Sequence, residues 1–352
     1  MPNADGQNGP FLYFPALRWK QGEQIATRKL DNADRARMLP LAEIQSLDAA
    51  SLAKLTKQLT QAQASIMPIA LDLKVAHGNG PVPVPYLANM TAYYQEQGLR
   101  TWPVLHATDA LLNPASLANL KGQPAVVLRI YPLQLPLADA LSVLADLRKA
   151  CGKNTSIFVV LDLYAIADIE LLALAGLAEP FVRQIAATGH ATQIALIGGS
   201  FPYQLGGYKQ GVQTRLPRKE LTVWKELRKR QGCGAVAFGD YAVTNPLPLA
   251  EIDPRNLNPA AAIRYALKND WWLLRAAGVR TKGKGGMGQY NALCKLLVAS
   301  PDYSGKPFSF GDRMYDEHCA PDATSGSFMT WRRDATSHHL TYTVRQLASG
   351  NI

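Results

Sequence analysis

The run SIFVVLDLY (156–164) decides the fold, since it is apolar almost throughout and contains a single charged residue, Asp162. Uninterrupted apolar runs of this kind are typical of strands that are buried on both faces of a parallel sheet. Seven more runs occur in the chain: FLYFPALRW (11–19), RMLPLAEIQ (37–45), SIMPIALDLK (65–74), LRTWPVLHA (99–107), PAVVLRIYP (124–132), TQIALIGGS (192–200) and CGAVAFGDY (233–241).

In the segments between these runs, the apolar residues recur with the period of an α-helix. Examples are AASLAKLTKQLTQAQ (49–63), LADALSVLADLRKAC (137–151), IELLALAGLAEPFVRQIAATG (169–189) and RKELTVWKELRKRQG (218–232). Eight successive strand–helix units predict a closed (β/α)8 TIM-like barrel. The alternative is an open, doubly wound sheet, which is disfavoured because no glycine-rich dinucleotide turn follows the first strand.

The same pattern predicts the domain organisation. Residues 260–278 (AAAIRYALKNDWWLLRAAG) are expected to form a helix that completes a barrel over residues 1–278. Residues 279–352 exceed what a barrel needs and are expected to form a C-terminal helical and irregular extension packed on it. Its helices are predicted at NALCKLLVAS and around HHLTYTVRQLAS, with a loop rich in Gly, Ser and Asp between them.

Composition narrows the class of protein. Hydrophobic residues make up 47% of the 352 residues and charged residues 18%, which indicates a folded chain with a sizeable core. The net charge of +10 favours an anionic partner. There is no long apolar stretch and no secretory leader pattern, so no membrane association and a cytoplasmic location are expected. The four cysteines form no CxxC pair and are expected to be free thiols.

Ionisable residues stand at the carboxyl ends of nearly all the predicted strands, where barrel enzymes carry their reacting groups. The candidate catalytic residues are Glu43, Asp72, His106, Asp162 and Asp240. Carboxylates and a histidine are ligands for a divalent cation, so a metal ion is a candidate cofactor. The alternative is a purely structural role, in which salt bridges close the top of the barrel, for example between Arg129 and Glu43 or Asp162.

Cations and a glycine pair at the same strand ends suit phosphate or carboxylate oxygens. The candidate ligand-binding residues there are Lys20, Lys74, Arg129, Gly198, Gly199 and Ser200. Together these residues favour a phosphorylated or nucleotide-like ligand and, more weakly, metal-assisted phosphoester chemistry.

Two other segments suggest a different class of function. Residues 206–232 hold eight Lys or Arg against two Glu, which fits either a solvated helix face or a nucleic-acid site. Trp331, Arg332, His338 and His339 are candidate ligand contacts, and packing of the tail onto the barrel is the alternative. The segments therefore leave open a non-catalytic module that binds nucleic acid or protein, and a sensor whose tail reports an occupied mouth.

Four stretches carry a resemblance to a known family: FPALRWKQGEQIA, LPLAEI, GDRMYDEHCAP and WRRDATSHHLTYTVRQL. Together they resemble the bacteriophage beta-protein family, over nearly the whole chain. The most specific pieces are K-x-G-E (Lys20, Gly22, Glu23) and the W-R…HH tail. The resemblance brings no catalytic residues with it. It implies a setting in phage biology, as a phage-borne factor or part of a bacterial antiviral locus, with a phage or host protein as a candidate partner.

Overall fold

A computed structural model describes residues 10–62, 67–211, 213–248 and 257–350, and in it eight parallel strands close into a barrel. In order around the barrel they are β1 (Tyr13–Leu17), β2 (Leu41–Glu43), β3 (Ile69–Asp72), β4 (Thr101–His106), β5 (Ala125–Ile130), β6 (Ser156–Ala165), β7 (Gln193–Gly199) and β9 (Ala237–Asp240). Seven of these strands lie within the predicted apolar runs and β6 extends one residue beyond its run, to Ala165; residues 65 and 66 of the third run fall outside the described residues. The (β/α)8 prediction is confirmed, because β9 pairs in parallel with both β7 and β1.

Helices follow the strands and cover the barrel. They are α1 (Gln21–Arg28), α2 (Asn32–Arg35), α3 (Ala49–Ala62), α4 (Val84–Glu96), α5 (Ala107–Leu112), α6 (Leu137–Cys151), α7 (Leu171–Thr188) and α8 (Lys219–Arg228). The four helices predicted between strands form as α3, α6, α7 and α8, with ends that differ by a few residues. Within the described ranges, no helix combines the length and the apolar character that a membrane span requires.

Alternate side chains of the barrel strands point into the lumen and fill it. The layer near the amino ends of the strands is aromatic. In it Trp102 stacks on Phe158 with ring centroids 5.2 Å apart, and Phe11 and Phe14 pack beside them. Gly239 of β9 allows this close packing, since a β-carbon there would lie 2.1 Å from Cγ2 of Ile197. The interior is therefore a packed core, and ligand-sized space is found above it, at the carboxyl ends of the strands.

The helix predicted over 260–278 is wrong: this segment is an antiparallel hairpin of β10 (Ala260–Ala266) and β11 (Asp270–Gly278). The turn closes where the backbone N–H of Leu267 donates to the carbonyl of Asp270 over 2.8 Å. Ala, Leu and Arg favoured a helix by local propensity, but pairing of β11 with β8 (Gln213–Pro217) decides the conformation. The resulting three-stranded sheet has the order β10-β11-β8.

The C-terminal part contains three further helices, α9 (Gln289–Val298), α10 (Phe310–Glu317) and α11 (Phe328–Ala348). The two predicted helices of this part correspond to α9 and α11, and α11 begins earlier than expected, capped by the hydroxyl of Ser327. α10 lies in the segment that was expected to be a loop. α11 packs against α1, β1 and β10, so it contacts both the barrel and the small sheet. The division of the chain into domains at residue 278 stays a prediction.

The four cysteines are free thiols, as expected. Cys151, Cys233 and Cys294 are buried, and burial raises the pKa of Cys151 to about 11. Since the thiolate is the reactive form, these side chains behave as small apolar residues of the core.

Two Gly→Ala substitutions are expected to have opposite effects on stability, because Gly311 lies where α10 closely approaches α11, whereas Gly176 in α7 has space around it. A β-carbon on Gly311 would lie 2.1 Å from the carbonyl oxygen of Asp334, so Gly311→Ala is expected to lower the free energy of unfolding by about 2–3 kcal/mol. Gly176→Ala in α7 meets only Nη1 of Arg230 at 3.8 Å and is expected to raise it by about 0.5–1 kcal/mol. Urea unfolding of both variants measures the difference, and stabilisation by Gly311→Ala would contradict the packing described.

Candidate functional site

Five of the predicted site residues meet at the carboxyl end of the barrel, which we call the barrel mouth. They are Glu43 on β2, Asp72 on β3, His106 on β4, Arg129 on β5 and Asp162 on β6. Each occupies an inward position in the alternation of its strand, two residues beyond an inward apolar side chain. Above them is a cavity of about 220 Å³, which is also lined by Tyr131 and Tyr164.

The guanidinium of Arg129 lies at the centre of this cluster. Its Nε donates to Oδ2 of Asp162 over 2.9 Å, and its Nη1 donates to Oδ2 of Asp72 over 2.6 Å. Both terminal nitrogens lie 3.1 Å from Oε1 of Glu43, and Nη2 also donates to the hydroxyl of Tyr241 over 2.6 Å. Arg129 is thus a buried cation paired with three carboxyl groups, as the alternative of salt bridges at the top of the barrel anticipates.

His106 and Asp72 form a second buried pair in the mouth. Nε2 of His106 lies 2.9 Å from Oδ1 of Asp72, and its ring stacks on Tyr131. Burial by itself raises the pKa of Asp72, but His106 and Arg129 outweigh it and lower the pKa well below its usual range. Nδ1 of His106 is buried and has no hydrogen-bond partner within the described part of the chain. The pair therefore holds a fixed carboxylate beside an imidazole with one ring nitrogen still available.

Glu43 is a titratable group of the mouth whose pKa lies near neutrality. Burial raises its pKa to about 7, and Arg129 opposes this shift without cancelling it. A carboxyl group with such a pKa exchanges its proton at physiological pH, which is the property of a general acid or base.

A second cavity of about 340 Å³ adjoins the mouth, and Arg18 and Lys20 line both. We call it the cationic pocket. Its wall also contains Arg264 from β10, Arg332 from α11 and Glu23 from α1. Burial and then Arg332 lower the pKa of Arg264 to about 9, and burial lowers the pKa of Arg332 as well. Within the described ranges neither arginine lies within salt-bridge distance of a carboxylate, so the pocket has an excess of positive charge.

Backbone strain also clusters around the mouth. Within the described part of the chain, four residues other than glycine have positive φ: Trp19, Asn79, Tyr164 and Ala242. Trp19, Tyr164 and Ala242 stand at the carboxyl ends of β1, β6 and β9, and Asn79 and Tyr164 line the mouth cavity. Each such residue costs about 1–3 kcal/mol, and concentrations of this kind are typical of functional sites.

Asp240 was expected in the mouth, but it points out of the barrel toward α11. Its carboxylate accepts from the hydroxyl of Tyr13 over 2.5 Å and lies 2.8 Å from Nε2 of His339. Strand alternation explains the error: Gly239 and Tyr241 are the inward residues here, and Asp240 lies between them. His339 is completely buried in this contact, so it is not placed to meet a ligand.

The glycine pair after β7 is divided in the same way. Gly199 faces the mouth, where a β-carbon would lie 2.5 Å from Cδ of Pro246, whereas Gly198 faces Ile166 outside the lumen. The hydroxyl of Ser200 donates to the carboxylate of Glu220 and accepts from the N–H of Lys219 over 3.2 Å. The side chain of Ser200 is therefore engaged at the start of α8 and not in the mouth.

Two tail residues that were candidate ligand contacts are also packed inside the protein. Trp331 stacks on Tyr290 with centroids 4.3 Å apart, and its Nε1 donates to the carbonyl of Ser325. His338 stacks on Tyr265 at 3.7 Å and lies 2.9 Å from Oδ2 of Asp312. Of the four tail candidates, Arg332 alone lines the cationic pocket.

Lys74 stands at the rim of the mouth, where its ammonium pairs with Asp109 and its backbone N–H donates to Oδ1 of Asp72 over 3.0 Å. Its charge is therefore partly compensated before any ligand binds. Among the described residues, no group of three or more His, Cys, Asp and Glu side chains is arranged to hold a metal ion. The guanidinium of Arg129 occupies the position between carboxylates that a divalent cation would need.

Cations of the 206–232 segment are largely engaged within the protein; Val212 lies outside the described residues. Arg218 is completely buried and donates to Thr343 and Gln346 of α11. Others form salt bridges: Arg215 with Asp302, Lys229 with Glu226 and Arg230 with Glu179. These contacts favour the interpretation of this segment as a solvated helix face over its interpretation as a nucleic-acid site.

Sequence reasoning did not select four residues in or next to the barrel mouth and the cationic pocket: Arg18, Tyr131, Tyr241 and Arg264. The first three continue the inward alternation of β1, β5 and β9, so strict counting by two along each strand would have found them. Arg264 gave no such signal, because it lies on a hairpin that was predicted to be a helix.

The pKa of Glu43 gives a test of the mouth. Its value of about 7 in the folded protein exceeds the ordinary value, so its contribution to stability is present at low pH and is lost as pH rises through 7. Glu43→Gln removes this dependence, and we expect the unfolding free energy of the variant, relative to the parent, to increase by about 3 kcal/mol from acid to pH 8.

Chemical unfolding across that pH range measures the effect. Glu96→Gln, on the exposed end of α4, removes the same group from the surface and supplies the baseline. If the difference in unfolding free energy between Glu43→Gln and the parent varied with pH in the same way as that for Glu96→Gln, the raised pKa of Glu43 would be contradicted.

Comparisons with solved structures give distant similarities. The biosynthetic arginine decarboxylase SpeA of Campylobacter jejuni matches with a TM-score of 0.44 and 12% identity, over 97% of this chain and 56% of the decarboxylase. The chain thus spans little more than half the length of that enzyme. A protein described as a fructose-1,6-biphosphate aldolase from Coccidioides immitis matches with a TM-score of 0.37 and 10% identity, over 66% of this chain and 75% of that one.

No curated protein matches the chain in sequence. The family model described as Beta protein matches residues 13–345. This range runs from the first barrel strand to the last turns of α11 and includes Lys20, Gly22, Glu23 and Arg332. The resemblance in the sequence is confirmed, and the chain belongs to the Beta protein family.

Proposed function

We propose that the protein binds a phosphorylated or nucleotide-like small molecule in the cleft formed by the cationic pocket and the barrel mouth. The observation that carries this proposal is the pair of arginines, Arg264 and Arg332, which lie half-buried in the cationic pocket and outside salt-bridge distance of any carboxylate in the described part of the chain, with Glu23 in the same wall. Partial burial of cations that outnumber the carboxyl groups around them is unfavourable, and an anionic ligand would supply the missing negative charge. Arg18 and Lys20 would extend the same contact to the edge of the mouth.

The mouth supplies groups for acid–base chemistry on such a ligand. Glu43 would exchange a proton near neutral pH, and His106 would act beside the fixed carboxylate of Asp72. Asp162 and Arg129 would hold Glu43 and Asp72 in position. This arrangement supports proton transfer next to a bound phosphate more than the metal-assisted form of phosphoester chemistry, since Arg129 lies between the carboxylates.

The competing function is a non-catalytic module that binds nucleic acid or protein through residues 206–232 and the tail. It has less support, because Arg218 is buried and other cations of this segment are paired within the protein. A sensor in which the mouth binds a small signal shares the cleft proposed here. A phage or antiviral setting, with a phage or host protein as partner, stays a prediction from the family.

Inorganic phosphate is the probe that tests the cationic pocket. We expect it to raise the thermal midpoint at constant ionic strength, and at a concentration ten times Kd the gain in stability is about 1.4 kcal/mol. The double variant Lys20→Gln with Arg332→Gln should lose most of this response. Lys121→Gln with Lys153→Gln removes two exposed cations at the other end of the barrel and is the matched control. An undiminished response in the pocket variant would refute the proposal.

A further inference from the structure

A third cavity, of about 470 Å³, lies between α1 and α3, and we call it the α1–α3 groove. Two helical stripes form its walls, each with the spacing i, i+3, i+4 and i+7 of one helix face. From α1 the stripe is Gln21, Gln24, Ile25 and Arg28. From α3 it is Lys54, Lys57, Gln58 and Gln61.

The composition of these stripes is unusual for two neighbouring helices. Facing stripes normally bury apolar side chains against each other, but here one apolar residue stands among three cations and four glutamines. No carboxylate lines the groove, and within the described chain Lys54 and Lys57 form no salt bridge. Arg28 donates to Gln61 across the groove over 3.0 Å, so its charge also stays uncompensated.

The groove opens beside the cationic pocket, because Gln21 lines both cavities. Lys20 and Arg18 in turn line both the cationic pocket and the barrel mouth. The cations of the groove and those of the cationic pocket therefore lie along one path, which follows α1 to the edge of the mouth. Phe328, half exposed at 49%, offers an aromatic face in the cationic pocket along this path.

We propose that this path binds single-stranded nucleic acid, with successive phosphates on the cations of the α1–α3 groove and one terminal nucleotide in the cationic pocket. The inference rests on the proposed function and extends its ligand from a single nucleotide to a strand. Two adjoining groups of cations along one path, in the α1–α3 groove and in the cationic pocket, match a repeating anion rather than a single phosphate. Glutamine amides both donate and accept hydrogen bonds, so they suit base edges and sugar oxygens as well as phosphates.

Shape favours a single strand over a duplex. The groove is bounded by two adjacent helices, and the path ends in pockets of a few hundred Å³, which hold groups of small-molecule size. A paired base inside a duplex cannot reach such a pocket unless it leaves the stack, whereas an unpaired one can stack on an aromatic side chain such as Phe328.

Fluorescence anisotropy with labelled oligo-dT and oligo-U of about 12 nucleotides tests the inference. The full chain is expected to bind at least one of them about tenfold more tightly than it binds thymidine or uridine monophosphate, with an affinity that falls steeply with salt. Lys54→Glu with Lys57→Glu should weaken oligonucleotide binding about tenfold or more and reduce the salt slope by about 1.4, while monophosphate binding stays within about twofold.

Lys121→Glu with Lys153→Glu makes the same charge change at the opposite end of the barrel and is the control, and circular dichroism verifies that both variants are folded. Equal effects of the two variants, or oligonucleotide affinity no greater than that of the monophosphate, would overturn the inference and leave the proposed function standing. Oligonucleotide binding that depends on Lys54 and Lys57 without any monophosphate binding would support the groove and refute the cationic pocket. Preferential binding of a duplex of equal length would overturn the single-strand assignment.

Discussion

A single buried guanidinium organises the mouth of the barrel. Arg129 is 2% exposed and meets carboxyl groups from β2, β3 and β6, each of which is itself largely removed from water. A buried charge is tolerated only when its partners are in place, so the four groups are stable as a set and not singly. The set has an uneven charge distribution, because Asp72 stays ionised beside Arg129 and His106, whereas burial raises the pKa of Glu43 to about 7 and leaves it only partly ionised near neutral pH. Structural pairing and acid–base capacity are thus two aspects of one arrangement.

The fold could be predicted because its signals are local and repeated. Each barrel strand is an apolar run, and a helix follows each of the first seven before the next barrel strand, which leaves few other architectures. The prediction failed where local propensity and long-range pairing disagree. Residues 260–278 contain good helix formers, yet β11 lies between β8 and β10 in a sheet whose third strand comes from far earlier in the chain. No local pattern reveals such a partner.

The candidate site was predictable to the extent that strand alternation determines it. Glu43, Asp72, His106, Arg129 and Asp162 are all inward residues at strand ends, and they meet. Asp240 has the right chemistry at a position one residue out of phase, which places it outside the lumen. The cationic pocket was only partly foreseeable, since Lys20 and Arg332 stood out in family-like motifs but nothing indicated that they would be neighbours. Gly22 brings them together: its missing side chain allows α1 to approach α11, where a β-carbon would lie 3.0 Å from the carbonyl of Met329.

The contact of α11 with the first strand has a consequence for biosynthesis. Tyr13 and His339 lie 326 positions apart in sequence yet share a hydrogen bond, and Arg332 of the same helix completes the cationic pocket. A nascent chain on the ribosome has therefore already made Lys20, Arg18 and the whole barrel before this helix emerges. Until then Tyr13 of β1 and Asp240 of β9 lack their contacts with His339 of α11. The cationic pocket therefore forms only after α11 has been synthesised and has packed on the barrel, and a polypeptide that lacks this helix cannot form it.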